Sequence, residues 1–145
     1  MRLLYHYRFA VGQDKWEILA VWERSVIATH DFLGENIEAI KKELAGFLSQ
    51  SEIVVVCNQE DQIKGFASVA EGHLNMLFLD PSIIGTGVGS RLFDHMYQNY
   101  PFRTLDVNKD NPKALEFYQR KGFRIIAESA TDDQGRPFPI LHLKK

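Results

Sequence analysis

Three glycines alternate in Gly85-Thr86-Gly87-Val88-Gly89, and Ser90 follows them. An apolar run, Leu74–Leu79, stops at Asp80–Pro81 just before this loop. A helical pattern begins inside it, with Val88, Leu92 and Met96 four residues apart and Phe93 and Tyr97 beside them. A strand, a glycine loop and a helix in this order have a chemical use. Glycine lets the backbone turn and lets a ligand approach without a Cβ in the way. The first N–H groups of the helix have no partner inside it, and the helix dipole favours negative charge there. The stretch therefore reads as a diphosphate-binding turn formed by Gly85, Thr86, Gly87, Val88, Gly89 and Ser90.

A second stretch, Asn108 to Phe123, reads N-x-x-N-x-x-A-x-x-F-Y-x-x-x-G-F. Ala114, Phe117 and Tyr118 fall at helical spacing, so part of it is core. Asn111 and Pro112 make a helix start signal, as N-cap and first helical residue. Gly122 is the expected left-handed terminator. Read by itself, Tyr118 is either a half-buried aromatic or a phenol with chemistry to do. The five histidines (6, 30, 73, 95, 142) show no close ligand spacing with cysteine or carboxylate, so no metal is expected.

The elements that must position these residues follow from the pattern of the whole chain. At 145 residues it fits one domain, 1–145, with room for a real core. Apolar content of 45% and charged content of 25% are ordinary for a soluble protein. A net charge of −2 offers no basic footprint for nucleic acid. No apolar run reaches the length of a membrane span, and the N-terminus does not read as a signal peptide. A cytoplasmic protein is expected. The single Cys57, in the run Ile53–Cys57, excludes an internal disulfide and reads as a small core residue.

Leu3–Ala10 reads as a strand. A helix follows from Asp14, a candidate N-cap, to about Ala28, and a second from Asn36 to Ser49. Strands Glu52–Asn58, Ile63–Ala70 and His73–Leu79 have short connections, which imply an antiparallel meander. After the glycine loop come a helix to about Asn99, strand Arg103–Val107, helix Lys113–Lys121, and strands Phe123–Glu128 and Phe138–Leu143. The order β-α-α-β-β-β-α-β-α-β-β predicts an α/β (α+β) fold: a mixed, mostly antiparallel sheet with helices on both faces.

In element order over its whole length, and specifically from Leu79 to Phe123, the chain resembles the GCN5-related N-acetyltransferases. These transfer acetyl from acetyl-coenzyme A to an amine. Pro81, Gly87 and Gly89 match the family's pyrophosphate motif, and Asn108, Asn111, Ala114, Phe117, Tyr118, Gly122 and Phe123 match its second segment. One position departs: where the family has Arg or Gln three residues before the first glycine of its G-x-G pair, this chain has Ile84. The backbone cradle does not depend on that contact.

The resemblance implies acetyl-CoA as co-substrate, bound by Phe78, Leu79, the Gly85–Ser90 loop, Asn111 and Tyr118. It implies Tyr118 as the acid that protonates the departing thiolate, and the Leu79 N–H as donor to the carbonyl oxygen. A lysine-type amine, with a pKa near 10.4, is neutral at pH 7 only on the order of one time in a thousand, so a base is needed. His30, Asp31, Glu71 and His73 are the candidates, with His73 and Glu71 beside the central strand. His30, Asp31 and Phe32 lie between the first two helices, where the family builds its acceptor pocket. Trp22–Leu33 and Asp133–Pro137 further resemble members that act on protein lysines, which makes a protein lysine the expected acceptor and a small-molecule amine the runner-up. An edge strand that pairs between subunits looks like any other, so a homodimer stays open. Two readings of another class stand beside this one. Gly85-x-Gly87-x-x-Ser90, with Asp106 about 20 residues on, is one substitution from a dinucleotide fingerprint. A coenzyme-binding protein without turnover is the other.

Overall fold

The computed structural model describes residues 4–29 and 31–145. The elements follow the expected order: β1 (His6–Phe9), α1 (Lys15–Thr29), α2 (Ile37–Leu48), β2 (Val54–Cys57), β3 (Ile63–Ala70), β4 (His73–Leu79), α3 (Val88–Asn99), β5 (Thr104–Asn108), α4 (Pro112–Arg120), β6 (Arg124–Ser129) and β7 (Ile140–Lys144). Short 3-10 turns occupy Gly12–Asp14, Asp31–Asn36 and Pro81–Ile83. The strands form one sheet in the order β1-β2-β3-β4-β5-β7-β6. Every neighbouring pair is antiparallel except β4 and β5, which are parallel. No helix among the described residues is long and apolar enough to cross a membrane.

Alternation along the strands feeds two cores. Val54, Val56, Leu74, Leu105 and Leu143 face α3 and α4, where Val88, Leu92, Phe93 and Met96 meet them. Val55, Cys57, Ile63 and Phe66 face α1 and α2, against Ile18, Val21, Trp22 and Leu44. Phe93 is the hub of the first core. Its ring lies 5.3 Å from Phe102, 5.8 Å from Phe117, 6.0 Å from Phe123, 6.1 Å from Tyr97 and 6.2 Å from Tyr118. One aromatic cluster thus ties the helix after the glycine loop to the helix that carries Tyr118.

Asp14 does not cap α1. It sits in the turn before the helix, where Val11 is the capping position. Its carboxylate reaches back to accept the Val11 N–H (2.8 Å) and the Arg8 guanidinium (2.8 and 3.2 Å). The Arg8 bond holds the carboxyl below the usual carboxylate range, against the opposing effect of burial. β1 spans His6–Phe9, within the expected Leu3–Ala10, of which Leu3 lies outside the described residues. Ala10 adds one more bond, its N–H donating to Ile53 O at 2.8 Å.

Two features of β4 set up the site. Leu74 pairs with Val69 and Met76 with Ser68, so Asn75 is an extra residue, a β-bulge that bends the strand. Past its far end, Asp80 is almost wholly buried and caps the next turn, accepting the Ser82 N–H at 3.0 Å. Arg24 of α1 donates to the other oxygen of Asp80 at 2.9 and 2.6 Å. Burial raises the Asp80 pKa, but the Ser82 donors and the guanidinium outweigh it, and the carboxyl titrates below its usual range. A lowered folded-state pKa stabilises the fold above the unfolded value, near 3.9, and that contribution is lost as pH falls through the folded value. Asp80→Asn should therefore cost about 2 kcal/mol at pH 7, roughly 6 °C in Tm, with a smaller gap to wild type at pH 3. Thermal melts at both pH values check this; an equal gap at the two would contradict the assignment.

Candidate active site

β4 and β5 pair over only two rungs, His73 with Thr104 and Leu74 with Leu105. Beyond them the bulge at Asn75 turns β4 away and the sheet opens. The opening has a polar lining that can be read from the ladder. The Asp80 N–H donates to Lys64 O at 2.8 Å, which makes that rung of β3 and β4 the hydrogen-bonded one. Antiparallel rungs alternate, so the N–H and C=O of Leu79 and Leu77 turn away from β3, into the gap. Buried backbone groups need partners. Here they line a cleft.

That cleft, about 310 Å³, lies between β4 and β5 on the α3/α4 side, walled by Leu77, Leu79, Val107, Ala114, Phe117 and Tyr118 among others. A second hollow of about 260 Å³ opens on the α1/α2 side, with Trp22, Glu43, Asp132, Asp133 and Arg136 in its wall. Phe78 and Asn108 border both. The two hollows thus reach the same gap from opposite faces of the sheet.

The glycine loop closes one end of the cleft. Gly87 is the N-cap of α3 at φ 88°, in the left-handed region that an L side chain resists. Gly89 lets the helix approach β4 closely: a Cβ there would stand 2.7 Å from Leu79 Cδ1, and that side chain would have to shift. The first main-chain bond of the helix is Arg91 N–H to Gly87 O, so the N–H groups of Val88, Gly89 and Ser90 have no intrahelical partner. The expected loop residues divide by role. The Val88 side chain is buried in the core, and only its N–H is offered. Thr86 turns its N–H and its hydroxyl inward, both to Ile83 O. Ser90 Oγ accepts from Lys121 Nζ at 2.6 Å. Lys121, which also pairs with Asp94 at 2.9 Å, brings a cation to this helix end that the sequence reading did not foresee. Ile84 is half exposed and lines the cleft.

Asn111 caps α4 as expected, its Oδ1 accepting the Ala114 N–H at 3.3 Å, and it is buried in the cleft wall. Tyr118, two turns on from that cap in the same helix, packs on Phe117 with ring centres 5.3 Å apart. Burial pushes its phenol well above the ordinary value, so it carries its proton at neutral pH. Phe78 packs on Phe66 and borders both hollows.

His73 stands at the closed end of the gap. Its Nδ1 is 2.7 Å from Thr104 Oγ1, and its Nε2 is 3.5 Å from Asp106 Oδ2. Asp106 lines the cleft. Glu71 lies in the β3–β4 turn at φ 53° and walls neither hollow. His30 lies outside the described residues, as do the side chains of Asp31 and Phe32. Among the described residues His6, Cys57 and Asp61 form one convergent group with metal-ligand chemistry, its atoms within 4.8 Å of one another. Arg8 Nε already donates to the same Asp61 oxygen that meets His6, at 3.2 Å, so a guanidinium occupies that corner. Burial pushes the Cys57 thiol up to about 11, which keeps it protonated.

Residues 23–140 match the acetyltransferase (GNAT) domain family. The chain is 39% identical over 128 residues to the peptidyl-lysine N-acetyltransferase YjaB of Escherichia coli K12, covering 88% of this chain and 87% of that one. It is 38% identical over 142 residues to YjaB of Salmonella typhimurium LT2, covering 97% and 98%. The solution structure of apo YjaB from Escherichia coli superposes with a TM-score of 0.90 at 36% identity, covering 97% of each chain. With the parted sheet, the glycine cradle and these likenesses in hand, the chain belongs to the GNAT family of acetyl-CoA-dependent N-acetyltransferases.

Proposed function

We propose that this protein acetylates the side-chain amine of a protein lysine. The observation that carries the reading is the meeting of two hollows at one gap in the sheet, one suited to an anionic coenzyme and one to a cationic acceptor. The family's co-substrate fits the first. Orphan N–H groups at the start of α3 suit a diphosphate, and the free edge of β4 suits the amides of an extended arm. Bound there, acetyl-CoA supplies an acetyl group activated as a thioester.

The chain's own residues do the rest. Six strand positions, about 20 Å, separate Leu79 from His73, so the gap-facing N–H nearer the closed end, that of Leu77, is the donor to an oxygen that gains charge, and Leu79 serves the coenzyme's arm. Tyr118 holds the proton that a departing sulfur takes. His73, backed by Asp106, is the base at the closed end. On the far face, Glu43, Asp132 and Asp133 outnumber Arg136, which pairs with Glu43 and, at 3.0 Å, with Asp132. The excess of carboxylates favours an approaching ammonium. The same reading places the enzyme in the cytoplasm.

Incubation with acetyl-CoA and a panel of lysine peptides, polyamines and other small amines, read by mass spectrometry, tests the acceptor. Acetylation of small amines alone would overturn the protein-lysine reading. In that assay Tyr118→Phe should lower kcat on the order of 10²-fold and leave calorimetric acetyl-CoA affinity unchanged. An unaltered kcat would remove Tyr118 from the mechanism. Ile84→Arg, adding a guanidinium beside the cradle, should tighten acetyl-CoA binding about fivefold. Unchanged affinity would mean that the backbone cradle suffices.

A further inference from the structure

Five polar side chains touch in series across four strands, on one face of the sheet. Thr104 Oγ1 meets His73 Nδ1 at 2.7 Å, and His73 Nε2 stands 3.5 Å from Asp106 Oδ2. Asp106 Oδ1 meets His142 Nδ1 at 2.6 Å, and His142 Nε2 meets Ser129 Oγ at 2.6 Å. Asp106 and His142 are direct cross-strand partners on β5 and β7. Asp106 is the first β5 residue past the last rung that joins β5 to β4, so it stands where the gap begins.

The donors can be assigned. A carboxylate only accepts, so the short contact requires the proton of His142 on Nδ1. Its Nε2 then accepts the Ser129 hydroxyl. The carboxylate is thereby held by one oxygen from the β7 side. Its other oxygen faces His73 Nε2 across a distance too long for a good hydrogen bond. If His73 donates from Nδ1 to the Thr104 hydroxyl, its Nε2 lone pair also faces that space. An acceptor atom and an anionic oxygen then flank one position beside Asp106, which lines the cleft, while His73 itself walls neither hollow.

We infer that Asp106 is the receptor for the acceptor's ammonium and the charge partner of His73, and that His142, backed by Ser129, is its positioning residue. The inference rests on the N-acetyltransferase reading. The ammonium donates one N–H to Asp106 Oδ2 and a second to His73 Nε2. Two bonds of about 2.8 Å from one tetrahedral nitrogen span roughly 4.6 Å, so the two side chains move apart by about 1 Å. Both are partly exposed, which permits this. The second N–H bond then breaks, an N–H bond forms on His73 Nε2, and the electron pair stays on the amine for attack on the acetyl carbon. As the C–N bond forms and the C–S bond breaks, the thiolate takes the Tyr118 proton and the acylated nitrogen sheds its surplus proton to solvent or to the phenolate so formed. The imidazolium that results lies against the Asp106 carboxylate. An acceptor that arrives already neutral needs no receptor for an ammonium and no proton removed before attack; the proton it sheds afterwards leaves an acidic acylated nitrogen, which solvent can take.

That difference supplies the test. Wild type, Asp106→Asn, His142→Ala and His142→Gln would each be assayed with a lysine peptide and with an acyl hydrazide, whose nucleophilic nitrogen is uncharged at the assay pH. Asp106→Asn should lower kcat/KM for the peptide on the order of 10²-fold, with the KM for acetyl-CoA within twofold of wild type. His142→Ala should lose about tenfold, and His142→Gln, which can still donate to Asp106, should recover to within threefold. With the hydrazide, all variants should stay within threefold of wild type. Equal losses on both acceptors would make the array structural and overturn the inference, as would full activity of Asp106→Asn on the peptide. Acetylation of neither acceptor by wild type would sink the transferase reading, and this inference with it.

Discussion

The parting of β4 from β5 after two rungs is the constraint on which the rest of the molecule depends. A sheet continuous through this point would satisfy its backbone internally and offer no site. The extra residue Asn75 ends the pairing and leaves the inner edges of both strands with unspent N–H and C=O groups. Each such group costs on the order of 1–3 kcal/mol if buried without a partner. The chain keeps them beside a cleft, where solvent or an extended ligand can serve. Holding a sheet open also needs clamps on both sides. Gly89 lets α3 sit directly on Leu79, the Phe93 cluster fixes α4 against α3, and Arg24–Asp80 ties α1 to the end of β4.

The same opening organises charge. The chain as a whole is close to neutral, with 17 basic and 19 acidic side chains. Locally the two signs separate. At the wide end of the cleft the start of α3 presents positive potential. At the closed end and on the opposite face stand Asp106, Glu43, Asp132 and Asp133. A diphosphate and an ammonium would therefore be drawn to different ends of one passage, with Tyr118 in the wall between.

What could be read from the sequence was local. The glycine loop, the Asn111–Pro112 start of α4 and the Gly122 stop are decided by residues within a few positions of one another, and the structure has them as read. Element order was legible for the same reason, through hydrophobic periodicity. Contacts that depend on register were not. Asp106 and His142 are 36 residues apart and meet only because β5 lies beside β7. Asp106 entered the sequence reading only as the acidic residue about 20 positions after a near-match to a dinucleotide fingerprint. The sheet has a single parallel pair, and the carboxylate faces imidazoles instead. Lys121 and Ser90 meet through the packing of α4 on α3, and His6 and Cys57 through the pairing of β1 with β2. Asp14 failed as a cap because Arg8, the penultimate residue of β1, outcompeted the helix for its carboxylate.

Amide hydrogen exchange with and without acetyl-CoA tests the account most directly, because it reads the backbone groups on which the account rests. Added coenzyme should slow exchange at Leu77 and Leu79 in the parted edge of β4, and at Gly87 to Ser90 in the cradle. The amides of β2 and of β3, already paired on both sides, should be unchanged. Protection confined to other segments, or none at saturating coenzyme, would contradict the claim that the gap between β4 and β5 is the coenzyme site.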